Sequence, residues 1–398
     1  MINLAYRDIS NHLGRYLATG LGLGLLIGVT LTMAGVYRGM VDDGHALIDG
    51  SGADIWVVQQ HTLGPYAEPS TLHDDAWRAI AGLPGVAEVG SVTYLTMQAR
   101  RGGTDVRVMV AGFEPGRLGE PRYLVAGRPV QRAHYEAVAD VKTGFQIGET
   151  IRIRRHDYTV VGLTKRMVSS GGDPMVFIPL KDAQEAQFLK DNPAIVNDRN
   201  RLAANPQLNR PGVPGLLDAL QADRSANRNV NAVLVRVAPG SDARRVADEI
   251  ARWKRLTAYT RADMEEILVA KLIATSAKQI GMFLVILAVV SAAIVALIIY
   301  TMTMGKIKEI AVLKLIGTKN SVIGGMILQQ ALGLGVVGFV VGKLAATAWA
   351  PAFPKYVLLL PADALRAFAI VMVICTLASL LGIRAAMKVS PASAIGGG

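Results

Sequence analysis

Four apolar segments and one long stretch of soluble texture divide this chain. The first uncharged run, residues 16–37, follows a polar and basic start at 1–15. At about 1.5 Å per residue it crosses about 30 Å of hydrocarbon. A cleaved signal peptide also pairs a basic start with an apolar core. The length of this run and the lack of a small-x-small site before Arg38 favour a retained span. Gly20, Gly24 and Gly28 recur every fourth residue within it, and Thr32 continues their face. Small residues at that period let another helix approach closely. The face is therefore expected to pack on protein, against another span or at a dimer seam.

From 38 to 262 the pattern becomes that of an α+β domain. Ile55–Val58, Val106–Val110, Thr150–Ile153 and Val233–Val237 read as strands, from alternation or β-branched content. Leu72–Ala81, Leu180–Leu189 and Asp242–Trp253 read as helices between them. No βαβ period repeats, so an α+β fold is favoured over a doubly wound sheet. Residues 191–229 are rich in Asn, Pro, Arg and Gly and read as a variable or mobile subdomain.

Beyond it, 263–305 reads as a stalk that runs without proline into a second span. A third span covers 320–349, a proline-marked outer loop 350–364, a fourth span 365–384 and a tail 385–398. Between the second and third spans lies 306–319, a short basic amphipathic segment. Ile307, Ile310, Ala311 and Leu315 fall near helical spacing there, and Gly317 is a plausible stop. On spacing alone it is either a connector whose lysines obey topology rules or a helix lying at a membrane surface.

Composition agrees with a membrane protein carrying a folded domain: 398 residues, 51% hydrophobic, 18% charged, mean hydropathy +0.34. The net charge of +11 does not point to nucleic acid, because much of the excess flanks the spans. Arg7, Arg15, Lys306, Lys308, Lys314, Lys319, Arg384 and Lys388 face only Asp8 and Glu309 there. That bias assigns both termini and 306–319 to the cytoplasm and the large domain to the outside, although Arg38, Lys278, Lys343 and Lys355 oppose it locally. Cys375 is the single cysteine, so no intrachain disulfide is available.

Catalytic motifs are missing. There is no H-E-x-x-H, G-x-S-x-G, C-x-x-C or Walker A; Gly338–Leu344 has the wrong glycine spacing and lacks the Ser or Thr for magnesium. The chain is expected to be a non-catalytic membrane subunit without a cofactor of its own. Asp42, Asp43, His45 and His61 have no recognised ligand spacing and read as a polar loop.

One span, a large domain, three further spans, and Lys306-x-x-Glu309-Ile310-Ala311-Val312-Leu313-Lys314-x-Ile316-Gly317 together resemble the MacB/FtsX permeases of ABC systems, the mechanotransmission type. The closing Arg384–Ile395 and the lead-in Asn3–Ile9 resemble the same family, as do Gly148–Ile151, Tyr158–Gly162 and Val176–Leu180. Ala53–Gln59 and Gly64–Glu68 are similar to the DevC-type branch, which is associated with glycolipid export. The resemblance implies a homodimer in a bacterial inner membrane, working with a separate ATPase dimer that binds ATP and magnesium. It also implies a membrane-fusion adaptor and a TolC-like outer-membrane channel. The segment 306–319 would be the coupling helix, with Lys306, Lys308, Glu309, Ile310, Ala311, Leu313, Lys314 and Gly317 its contact residues. Two functions fit: export or extraction of a lipid or other envelope substrate, or FtsX-like signalling to a cell-wall hydrolase.

Overall fold

The computed structural model describes residues 13–188, 192–207, 216–217, 228–253, 255–353 and 355–388. The lead-in 3–9, residues 191, 208–215 and 218–227, and the tail from 389 lie outside the described residues. The chain divides into two compact units, 41–274 and the remainder.

In chain order the elements run α1 (Leu13–Ser51), β1 (Ile55–Gln59), β2 (Leu72–His73), α2 (Ala76–Ala81), β3 (Val86–Arg101), β4 (Thr104–Phe113), β5 (Leu124–Gly127) and β6 (Glu136–Asp140). They continue with β7 (Thr150–Ile153), β8 (His156–Thr164), β9 (Met175–Pro179), α3 (Leu180–Phe188), α4 (Asn192–Ala203), β10 (Asn229–Val230), β11 (Ala232–Val237), α5 (Ala243–Ala251) and β12 (Leu256–Thr260). The chain then becomes helical through α6 (Arg261–Glu266), a π-helical stretch at Ile267–Ile273 and α7 (Ala274–Met304). It closes with α8 (Ile307–Leu315), α9 (Asn320–Trp349) and α10 (Pro361–Lys388).

The inserted unit is built on a mixed sheet of order β12-β1-β11-β3-β4-β9-β6-β8-β5, with β7 pairing β3 and β8. Strands β6 and β9 are buried at every position, as sheet-interior strands with both faces covered must be. By contrast β7 alternates, with Ile151 and Ile153 inward and Thr150 and Arg152 outward. The long β3 joins the two ends of the sheet. Its residues up to Val92 pair with β11, and from Thr93 onward they pair with β4. The buried Asn231 bridges that change of partner. Its backbone N–H donates to Val92 O (3.0 Å), its side-chain oxygen accepts from Tyr94 N (2.7 Å), and its amide donates to Ser70 O (2.6 Å).

Trp56 and Tyr66 are core residues: the Trp56 indole N–H donates to the Tyr66 hydroxyl at 3.3 Å. Tyr123 is instead half-exposed. Two helices begin or end differently from expectation. Leu72–His73 is a strand pairing with β10, and helix starts only after Asp75. Likewise α1 does not stop near residue 37. It continues to Ser51 because Leu47 and Ile48 keep a helical apolar face that the inserted unit buries. Asp42, Asp43 and His45 therefore sit on a helix and not in a loop.

Glu136 is almost wholly buried. Arg128 donates to both its oxygens (3.0 and 2.5 Å), and the Gln131 and Arg132 N–H groups add bonds of 2.9 and 3.1 Å. The Arg128 bond leads in pulling its pKa down to about 2 against the opposing effect of burial, and the two backbone donors assist.

A carboxylate whose pKa is depressed on folding stabilises the fold above its unfolded pKa and loses that contribution as pH falls toward the folded value. Stability of the inserted unit, followed by tryptophan fluorescence, is expected to fall between about pH 4.5 and pH 2, and Glu136→Gln is expected to flatten that part of the curve. Asn231→Leu is expected to destabilise the same unit at every pH. It strands the Tyr94 N–H and the Ser70 carbonyl, at about 1–3 kcal/mol for each group left unsatisfied.

Candidate functional site

Two sets of residues singled out by the sequence lie in the membrane unit, and both are placed by helix packing. Among the described residues four helices are long and apolar enough to cross a membrane: α1, α7, α9 and α10. The glycine face of α1 meets α9. A Cβ on Gly20 would stand 2.8 Å from Val337 Cγ1, and one on Gly24 would stand 2.6 Å from Val341 Cγ1 and 3.0 Å from the Gly338 carbonyl. At Gly28 it would meet the Gly342 carbonyl at 3.0 Å and the Trp349 ring at 3.2 Å. Thr32 ends the stripe, accepting from the Trp349 indole N–H at 2.7 Å while its own hydroxyl donates to Gly28 O at 2.8 Å. The face thus packs within one chain, against the third span.

The segment after the second span forms the short helix α8. Gly317 ends it in the left-handed region (φ 88°). Its N–H donates to Lys314 O at 3.1 Å and the Thr318 N–H donates to Leu313 O at 3.0 Å. These are the paired bonds of a Schellman stop, which a Cβ at Gly317 would strain.

The two faces of α8 differ. Ile310 and Ala311 are buried, and Ile310 joins the apolar cluster that contains Ile299, Ile323, Ile327 and Ala386. Lys314 lies one turn on. Its ammonium donates to the carbonyls of Ala386 (3.0 Å) and Met387 (3.2 Å), at the C-terminal end of α10 where a cation is favoured. Lys308, Val312, Leu315 and Ile316, spaced i, i+4, i+7 and i+8, form the opposite face. All four are exposed, Leu315 and Ile316 at 63% and 76%, and Glu309 and Lys319 flank them.

This corrects part of the sequence assignment. Ile310 and Ala311 are interior residues of this chain, Leu313 is only partly exposed, and Lys314 is held by the chain's own fourth span. Lys308, Glu309 and Gly317 are exposed and Lys306 is intermediate. The exposed apolar residues that sequence reasoning left out of the contact set are Val312, Leu315 and Ile316. The signal available in the sequence is their spacing, with Val312, Leu315 and Ile316 at i, i+3 and i+4 on one stripe beside Lys308.

Among the described residues no group of three or more His, Cys, Asp or Glu side chains is placed to hold a metal ion.

Residues 17–253 match the MacB-like periplasmic core domain, and residues 281–391 match the FtsX-like permease C-terminal domain. Full-length relatives include an uncharacterised ABC transporter permease of Mycobacterium tuberculosis, 25% identical over 403 residues with all of both chains covered. Another, from Mycobacterium bovis, is 24% identical over 399 residues, again with complete coverage. Two solved structures align with part of the chain. The extracellular domain of the noncanonic ABC-type transporter YknZ from Gram-positive bacteria does so at TM-score 0.32 and 13% identity, covering 52% of this chain and 99% of that one. The periplasmic region of MacB from Actinobacillus actinomycetemcomitans does so at TM-score 0.35 and 10% identity, covering 55% and 94%.

Gly24→Leu and Gly342→Leu are each expected to lower the melting temperature of the detergent-solubilised chain, since overpacking costs about 1–3 kcal/mol or more. Gly22→Leu is the control, because a Cβ there meets nothing within 4 Å, and its melting temperature is expected to stay unchanged.

Proposed function

The chain belongs to the MacB/FtsX-type ABC transporter permeases, and on that premise we propose that it couples ATP hydrolysis on a separate ATPase to movement of its inserted domain. That movement drives export or extraction of a lipid or other amphiphilic envelope substrate from the outer face of the inner membrane. In this reading the permease works as a pair on an ATPase dimer, which binds ATP and magnesium. A membrane-fusion adaptor and an outer-membrane channel complete the conduit.

The observation that carries the reading is the exposed face of α8. Val312, Leu315 and Ile316 offer an apolar patch rimmed by Lys308, Glu309 and Lys319, the composition of a protein interface with an apolar centre and polar rim. The buried face anchors the same helix to the membrane unit through Ile310, Ala311 and Lys314. A partner that pushes on the exposed face therefore pushes on the spans. Permease family membership and the lack of a Walker A sequence in this chain support hydrolysis on a separate partner.

Contact residues and anchor residues are expected to behave differently. Leu315→Asp and Ile316→Asp should leave the chain inserted and folded, but reduce permease-stimulated ATP turnover by the co-purified ATPase by about tenfold or more, as loss of an interface hot spot does. Ile310→Asp should instead abolish accumulation of folded protein, because it places a carboxylate in an apolar interior. Unchanged stimulation by the Leu315 and Ile316 variants would remove α8 as the coupling element.

A further inference from the structure

The membrane unit also contains a cavity of about 350 Å³ between α1, α7 and α10. Its origin lies in how α7 packs. In its second half Val295, Ile299 and Thr303 are buried, and a Cβ on Gly382 of α10 would meet Ile299 Cγ2 at 2.8 Å. In its first half Leu284 and Ala288 are only partly covered and border the cavity instead. The helix thus closes against the bundle at one end and leaves a groove at the other.

The walls of this groove are mostly aliphatic, with Leu23 and Ile27 from α1 and Ile370 and Ile374 from α10 lining it beside Leu284 and Ala288; Ser291 and Tyr37 are the other hydroxyl-bearing side chains along it, apart from Thr30. The hydroxyl of Thr30, which also borders it, is satisfied by Leu26 O at 2.9 Å. Measured along the helices from Leu284 to Val295, or from Leu23 to Arg38, the groove is about 16–22 Å long at the helical rise. That is close to one leaflet's share of a hydrocarbon core about 30 Å thick.

One end is different in kind. Arg38 Nε and Nη2 donate to the two carboxylate oxygens of Asp363 at 2.8 and 3.1 Å, and Arg366 Nη1 donates to the same carboxylate at 3.2 Å. Two guanidiniums share one carboxylate, so the mouth carries a net positive charge and more N–H donors than Asp363 can accept. The Arg366 side chain remains 70% exposed. The excess sits where the apolar groove opens, two residues before the chain leaves the membrane unit at Met40.

This pairing selects an occupant. A purely apolar ligand fills the groove and leaves the arginines unanswered, and a small soluble anion answers them and leaves the groove unfilled. A zwitterionic lipid brings a second cation to a mouth already positive. We propose that the groove binds one acyl chain of an anionic phospholipid from the leaflet on the Arg38 side, with its phosphate at Arg38 and Arg366. The site lies toward the end of α7 remote from α8, and it holds a resident lipid whatever cargo the permease moves.

Full-length protein reconstituted in nanodiscs of mixed phosphatidylglycerol and phosphatidylcholine, then examined by native mass spectrometry, tests this. One phosphatidylglycerol should remain with each chain, preferred over phosphatidylcholine by about tenfold, the effect of one charge-assisted contact. Arg366→Gln, at an exposed side chain, should bring that preference close to unity in a protein that still folds. Ala288→Trp, which fills the groove, should remove the retained lipid whichever headgroup it carries. Equal retention of the two lipids by the unaltered protein, or retention unchanged in both variants, would overturn the proposal. Displacement by millimolar inorganic phosphate would reduce the site to an anion site and would overturn it too.

Discussion

Helices in a bilayer gain little by burying leucines against one another, because the surrounding lipid is equally apolar; they associate through close packing and the few polar contacts that packing allows. The crossing of α1 and α9 is where this chain meets that constraint. Gly24, Gly28 and Gly342 bring two backbones together, and the Thr32–Trp349 hydrogen bond closes the end of the contact. The rest of the unit is arranged from there. On α9, Gly335 lies against Cys375 of α10, and on α10 Gly382 lies against Ile299 of α7. Small residues recur at these three contacts, and the bulky residues Leu344, Leu365 and Val285 are left on outer faces.

The inserted unit faces the opposite problem. Its strands bury long apolar runs, so the hydrophobic effect supplies cohesion readily, while the polar groups caught inside must be satisfied individually. Asn231 does this where β3 changes partner, and Arg128 with two backbone N–H groups does it for Glu136. With one cysteine in the chain, and that one in a span, the unit is held by these contacts and by its three apolar clusters, with no disulfide.

Much of this was legible in the residue pattern because the signals are local. Span lengths, the alternation of Thr150–Ile153 and the Asp242 cap before Ala243 depend on a few neighbouring residues. The glycine period on α1 was readable as a packing face, but not its partner, since Val341 and Gly342 are more than 300 residues away in sequence. The extension of α1 to Ser51 was missed because charges at Arg38, Asp42 and Asp43 suggested a loop, whereas Leu47 and Ile48 had a distant core to enter. On α8 the spacing of Ile307, Ile310, Ala311 and Leu315 showed an amphipathic helix without saying which of its residues the chain would bury. The partners are distant: Ile310 enters a cluster with Ile323 and Ile327, and Lys314 bonds two carbonyls at the end of a helix that begins 47 residues downstream at Pro361. The π-helical stretch at Ile267–Ile273 has no sequence signature that a 3.6-residue period would detect.

Lys314 also gives the short helix a mechanical property. Its ammonium joins α8 to the last turn of α10 through two charge-assisted hydrogen bonds, each worth about 1.5–3 kcal/mol. The helix is therefore fastened on several sides: by the chain itself to α7 and α9, by Ile310 in the apolar cluster with Ile299, Ile323 and Ile327, and by this side chain to α10. Its position is set by three spans together, and displacing it strains contacts to all three.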